Sequence, residues 1–306
     1  MVDIRYPEPM AATSKRLARK QPRQRKRRRS RLTLTTLNRV LRECWRVLRA
    51  ITKAVLALPP IVRVGVIAAF LLLLVLGVNW GYQVFHKPTE IFFPLDRSLN
   101  KHPVETWREY ESLFRKHATA VITPEFLAAL AQVEGGGNPV ARTYWRWEWT
   151  WNPLEWYQPA SSAVGMYQMT DGTFREATQY CIHDHVVVEV GPWHDLQSCW
   201  FNSLYTRVLP SHAIELTSAL LDRRVTEAIG PRQMGSVTIQ RQQDLAAMIH
   251  LCGAGAGRAY AARGFRLTPN QLCGDHDVKN YLTRIHNLQN RFIKRAERKE
   301  TIQRAR

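Results

Sequence analysis

The feature that most constrains this chain is the stretch 64–85, which carries no charged side chain. Its centre, Val66-Ile67-Ala68-Ala69-Phe70-Leu71-Leu72-Leu73-Leu74-Val75-Leu76, is strongly apolar. As a helix it reaches roughly 33 Å, enough to cross a bilayer. Trp80 and Tyr82 sit where an interfacial aromatic belt belongs. More than sixty residues precede the run and no clear small-residue cleavage site follows it, so a cleaved signal peptide is not the expected reading. A single transmembrane helix over 59–85 is.

Charge gives the orientation. Residues 1–63 hold 18 Lys/Arg against 3 Asp/Glu, while residues 64–306 hold 26 against 22. The formal charge of +19 therefore describes a tail. By the positive-inside rule the N-terminus is cytoplasmic and residues 86–306 lie outside, which for a bacterial inner membrane means the periplasm. The run Arg23-Gln24-Arg25-Lys26-Arg27-Arg28-Arg29 has the charge to bind nucleic acid, but its place beside a span makes a juxtamembrane basic segment the simpler reading. Residues 1–30 read as a disordered basic tail. Within 31–58, Leu34, Leu37, Leu41, Cys44, Leu48, Ile51 and Val55 recur at three- and four-residue steps with Arg and Lys between them. That pattern is a basic amphipathic helix lying on the inner leaflet, or equally one that docks a partner protein.

Residues 86–102 form a short linker with Pro88 and Pro94, and 103–300 have the composition of one globular domain, followed by a tail at 301–306. Four cysteines fall here, Cys181, Cys199, Cys252 and Cys273. An even number on the outer side suits two disulfides. Three pairings are open, and the sequence neighbours, Cys181 with Cys199 and Cys252 with Cys273, are the expected ones. No C-x-x-C pair points to zinc, and His183 and His185 are expected in a loop, so no metal site is expected. The domain reads as mainly α. Helices are expected around 104–114, from a Thr123 cap with Pro124 in its first turn to Glu134, and over 171–181, 212–229, 239–252 and 276–300. Trp145, Trp147, Trp149 and Trp151 alternate strictly, which predicts a small extended or hairpin segment.

Glu134 is the outstanding candidate for chemistry. It ends the apolar run 126–133 and is followed by Gly135-Gly136-Gly137-Asn138-Pro139. A carboxylate there faces the negative end of the helix macrodipole, where Lys or Arg is the favoured residue. The glycines leave it reachable by a substrate. Downstream come Ser161-Ser162-Ala163-Val164-Gly165-Met166-Tyr167-Gln168-Met169-Thr170. Together the two segments resemble those of the lytic transglycosylases of the soluble-lytic-transglycosylase type and the related goose-type lysozymes. There, a catalytic Glu closes a helix and a Gly-Leu-Met-Gln-like turn follows, which Gly165-Met166-Tyr167-Gln168 matches. A third family element is echoed by residues 249–258 and a late tyrosine by Tyr281. The resemblance covers roughly 104–290. It departs at Gly135, where the family has Ser, and near Gly253, where it has Asn. The spacing from Glu134 to Gly165 is also longer, the excess being the Trp-rich segment.

The resemblance implies a lysozyme-like catalytic domain that cuts peptidoglycan between N-acetylmuramic acid and N-acetylglucosamine. Glycoside cleavage needs an acid for the leaving oxygen. A lytic transglycosylase needs only that one, because the sugar's own carbon-6 hydroxyl attacks carbon-1. The setting of Glu134 has no evident counterpart among Glu148, Glu155 and Asp171. Gln168 and Tyr167 are expected to line the cleft, Ser161 or Ser162 to donate to Glu134 or to substrate, and Tyr281 to stabilise developing charge. Trp145 and Trp147, with the neighbouring aromatics, are expected to stack on sugars. The mechanism calls for no cofactor. The expected partners are glycan strands, inner-membrane lipid through 64–85 and proteins of an envelope-spanning secretion or conjugation machine. Two other readings stand beside this one: a hydrolytic muramidase and a non-catalytic peptidoglycan-binding scaffold.

Overall fold

A computed structural model describes residues 39, 42–43, 45–92, 96–195 and 198–304. The expected tail at 1–30 and part of the expected amphipathic helix lie outside these residues. The chain is mainly helical, with short hairpins. It divides into two compact units, Met1–Val75 and Leu76–Arg306.

In the first unit, residues 45–56 are helical and exposed along nearly their whole length. Arg63 closes this helix by donating to the carbonyls of Leu56 and Leu58 at 2.5 and 3.1 Å. Helix α1, Pro60–His86, then begins on Pro60, where a residue without an N–H costs no hydrogen bond. None of the residues in its most apolar window is buried, so it is not a core helix of the first unit. Among the described residues, one helix is thus long and apolar enough to cross a membrane.

The second unit is built around α3, Pro124–Gly135. Thr123 caps it, accepting from the Phe126 N–H at 3.3 Å, and Phe126 to Ala131 are all buried. A helix apolar on every side belongs in the centre of a core. Helix α2, Pro103–Lys116, packs on it through Trp107, Tyr110 and Phe114, and Trp107 stacks on Phe292 of α7 (Val278–Arg304) at 5.3 Å. Helices α5, Pro210–Ile229, and α6, Ile239–Ala262, pack on each other. A buried chain of side chains ties three helices: Gln289 of α7 donates to Gln243 of α6 at 2.6 Å. Gln243 in turn donates to the Val121 carbonyl and to the Thr123 hydroxyl at the head of α3.

Among the described residues the strands form three antiparallel two-stranded hairpins. β1, Trp145–Trp147, pairs with β2, Tyr157–Pro159, in the register Trp147 opposite Tyr157. This is the expected Trp-rich hairpin. β3, Tyr180–His183, pairs with β4, Val186–Glu189, and β5, Leu272–Cys273, with β6, His276–Asp277. His183 ends β3 instead of standing in a loop, and His185 lies in the two-residue β3–β4 turn, where Asp184 and His185 have positive φ.

Several boundaries differ from expectation. Helix α4, Asp171–Ala177, stops short of 181 because Tyr180 to His183 pair as a strand and Cys181 is bonded to Cys199. Helix α6 does not end at 252. It kinks at Gly253, whose φ of 83° suits glycine, and resumes. Helix α7 runs to Arg304, so 301–304 are helical and continue the domain. The 86–102 segment is more than a linker. It contains 3-10 turns at Pro88–Phe92 and Asp96–Leu99, and the buried Glu90 takes an ion pair from Lys87 at 3.1 Å.

Candidate active site

Glu134 stands in the last turn of α3, which ends on Gly136 in the left-handed conformation that closes helices. Its side chain is 16% exposed. Position 135 has no room for a side chain. A Cβ at Gly135 would lie 2.7 Å from the Met166 Cα, so the helix end presses directly onto the backbone of the 164–169 turn. Val164 and Met169 bridge that turn through two backbone hydrogen bonds of 3.2 and 3.1 Å. Its Gly165 N–H is held by the Ala141 carbonyl at 2.7 Å.

Two further side chains converge on the carboxylate from other helices. Tyr281, in the first turn of α7, donates its phenol O–H to Glu134 Oε1. Burial, reinforced by the neighbouring carboxylate, pushes the Tyr281 phenol well above the usual tyrosine range, so it remains a donor. His250 Nε2, on α6 just before the Gly253 kink, lies 3.9 Å from the same oxygen, beyond direct hydrogen-bonding range. The Cys252–Cys273 disulfide joins the turn carrying His250 to β5, and the β5–β6 hairpin leads into α7 and Tyr281. Covalent geometry therefore couples the two residues that flank Glu134. Cys181 is bonded to Cys199, so both neighbour pairings are the observed ones.

Beside this group is a cavity of about 110 Å³, lined by Gln168, Thr170, Thr217, Arg224, Ile249 and His250 among others. Gln168 thus faces open space, but its Nε2 is committed to the carbonyls of Ala141 and Gly165 at 3.1 and 2.9 Å. Its amide braces the turn at a positive φ of 46°.

The remaining expected site residues are placed elsewhere. Tyr167 does not line a cleft. It is fully buried, with its hydroxyl donating to the Leu127 carbonyl at 3.2 Å, and it glues the turn to α3. The Ser161 and Ser162 hydroxyls accept from the Ala163 and Asp171 N–H groups at 2.9 and 3.2 Å, so they shape the chain before α4. Trp145 is half-buried and donates its indole N–H to Glu90 at 2.8 Å, an anchoring contact. Trp147 is exposed, with its ring 4.9 Å from that of Tyr157. The three other carboxylates considered each have partners of their own. Glu148 bonds Arg146 and Gln158, Glu155 bonds Asn152, and Asp171 pairs with Arg207 at 2.6 Å. Among the described residues, no group of three His, Cys, Asp or Glu side chains is placed to hold a metal.

His250 is the residue that sequence reasoning did not assign. The signal was faint: a histidine three positions before a glycine that breaks a helix. No family model, curated protein or solved structure matches the chain.

Proposed function

We propose that the protein is a membrane-anchored lytic transglycosylase with a lysozyme-like catalytic domain, cutting peptidoglycan between N-acetylmuramic acid and N-acetylglucosamine. The observation that carries the reading is a carboxylate at a helix end, pressed against the Gly165–Gln168 turn and held by one buried phenol. In this reading Tyr281 occupies Oε1 and Oε2 serves the substrate. Glu134 gives its proton to the glycosidic oxygen as the bond to carbon-1 breaks. The carbon-6 hydroxyl of the same sugar attacks carbon-1 and passes its proton to Glu134, which returns to its starting state. The product carries a 1,6-anhydro ring and no water is consumed.

Two further observations support it. Glu148, Glu155 and Asp171 are bonded elsewhere, as suits chemistry with a single acid. The adjacent cavity of about 110 Å³ is far below the ~300–1,000 Å³ that buries a small ligand, which suits a substrate lying across the surface. The apolar helix α1 supports anchoring in an inner membrane, with the N-terminus cytoplasmic and the domain periplasmic, where it meets the wall. A long basic N-terminal segment is more than an anchor needs, and supports service to an envelope-spanning secretion or conjugation machine.

Replacing Glu134 by Gln keeps the side chain's size and removes the proton. Glu134→Gln should abolish release of soluble fragments from purified sacculi while helicity and melting temperature stay near wild type. Release at the wild-type rate by a folded Glu134→Gln protein would overturn the proposal.

A further inference from the structure

The site at Glu134 leaves the Trp-rich hairpin without a task. Its base is anchored internally: the buried Glu90 accepts from Trp145 and Arg142 at 2.8 and 3.4 Å. Its loop, residues 148–156, is held by the last turns of α1. Asn79 Nδ2 and Gln83 Nε2 both donate to the Leu154 carbonyl, at 2.7 and 2.9 Å. The Tyr82 hydroxyl meets Glu155 and Asn152 at 3.4 Å each. The loop is also internally braced, with the Trp156 N–H on the Thr150 carbonyl at 2.8 Å and the Trp149 and Trp156 rings 5.5 Å apart. Yet Trp149 is 86% exposed and Trp151 wholly so, at 104%. Bare indoles on a rigid loop mark a surface that something covers.

The register of α1 says what covers it. Asn79 is the first strongly polar side chain after Arg63, and the run between them is apolar. That run, residues 64–78, measures about 22 Å as a helix, and the long Arg63 side chain at its inner end, reaching back to the headgroups, brings it toward the ~30 Å of a bilayer's hydrocarbon core. Residues 79–86 then fall in the headgroup layer, and the loop bonded to Asn79, Tyr82 and Gln83 falls there too. Tryptophan suits that layer, with an apolar ring for the acyl boundary and an N–H for the wet side.

We infer that the hairpin loop inserts Trp149 and Trp151 into the interfacial layer of the same bilayer that α1 crosses. The domain is then held against the lipid surface at two points, helix and loop. This rests on α1 being a membrane span, and it takes these two rings out of sugar binding.

The test is Trp emission from the full-length protein in lipid nanodiscs whose acyl chains carry bromine near the glycerol end. Wild type is compared with Trp149→Phe/Trp151→Phe and with Trp80→Phe. The emission removed by the double substitution should be quenched by the brominated lipid and shielded from aqueous acrylamide. If it is instead quenched by acrylamide and untouched by bromine, while the Trp80 emission is lipid-quenched, docking is wrong and the span stands. If the Trp80 emission also escapes bromine, the span itself fails and the inference with it. A shift of the Trp149 and Trp151 emission on adding soluble glycan fragments, with none on adding brominated lipid, would hand the rings to the substrate and overturn the inference.

Discussion

In the proposed reaction, Tyr281 sets how Glu134 presents its acid. A hydrogen bond to a carboxylate contributes about 1.5–3 kcal/mol, which corresponds to roughly 10–100-fold in rate if it is needed at the transition state. Tyr281→Phe should lower turnover of glycan strands within that range and leave the fold in place, measured as initial rates beside a thermal melt. An unchanged rate would remove Tyr281 from the site. A second residue-scale prediction concerns His117, buried against Ser211 and Glu215 at 3.1 and 3.6 Å. Burial outweighs the Glu215 charge and holds this imidazole below the ordinary value of 6.5. The folded state then resists protonation more than the unfolded one. The stabilisation is complete above 6.5 and is lost as the pH falls from there through the lowered value. Melting temperature should drop over that window, and His117→Gln should flatten the drop.

At the scale of elements, the Cys252–Cys273 bond closes a loop with a sequence separation of 21, worth roughly 3 kcal/mol by loop-closure entropy. Cys252→Ala/Cys273→Ala should melt lower and lose activity beyond the loss of folded protein, because it also frees the turn carrying His250. Cys181→Ala/Cys199→Ala, on the β3–β4 hairpin, should melt lower but keep its activity per folded molecule. Equal specific activity in the two would show that the first bond does not position the site. The elements also show what the sequence made legible. The Thr123-Pro124 start and the glycines after Glu134 mark both ends of α3, because caps and terminators are local chemistry. The Gly253–Gly257 run reads as a stop, yet α6 resumes after its kink. Gly257 lies under Ile249, where a Cβ would come within 2.2 Å of Cγ1, so close packing outweighs weak helix propensity. β3 begins inside the expected helix 171–181, at Tyr180 and Cys181, and β4 falls in a stretch for which no element was expected. Val186-Val187-Val188 after the Asp184-His185 turn was the available strand signal, and pairing with Tyr180 to His183 overrode the helical pattern. The burial of Tyr167 is not legible in the sequence, because a Gly-x-x-Gln turn says nothing about which way its aromatic residue points.

At the scale of the molecule, the apolar run was the clearest part of the sequence, since length and absence of charge suffice for a helix able to span. The convergence of Glu134, His250 and Tyr281 was not legible as geometry, because the three lie on three helices brought together by the core and by the Cys252–Cys273 bond. The proposed activity depends on that convergence and makes one chemical commitment, that the attacking oxygen belongs to the sugar and not to water. The most direct measurement is mass spectrometry of the fragments that the full-length protein releases from purified sacculi, run in ordinary and in ¹⁸O-labelled water. The proposal predicts 1,6-anhydro ends, lighter by one water than reducing ends, with no ¹⁸O taken up. Reducing ends carrying ¹⁸O would make the protein a hydrolase, and sacculus binding with no fragments at all would make it a scaffold; either result would contradict the account.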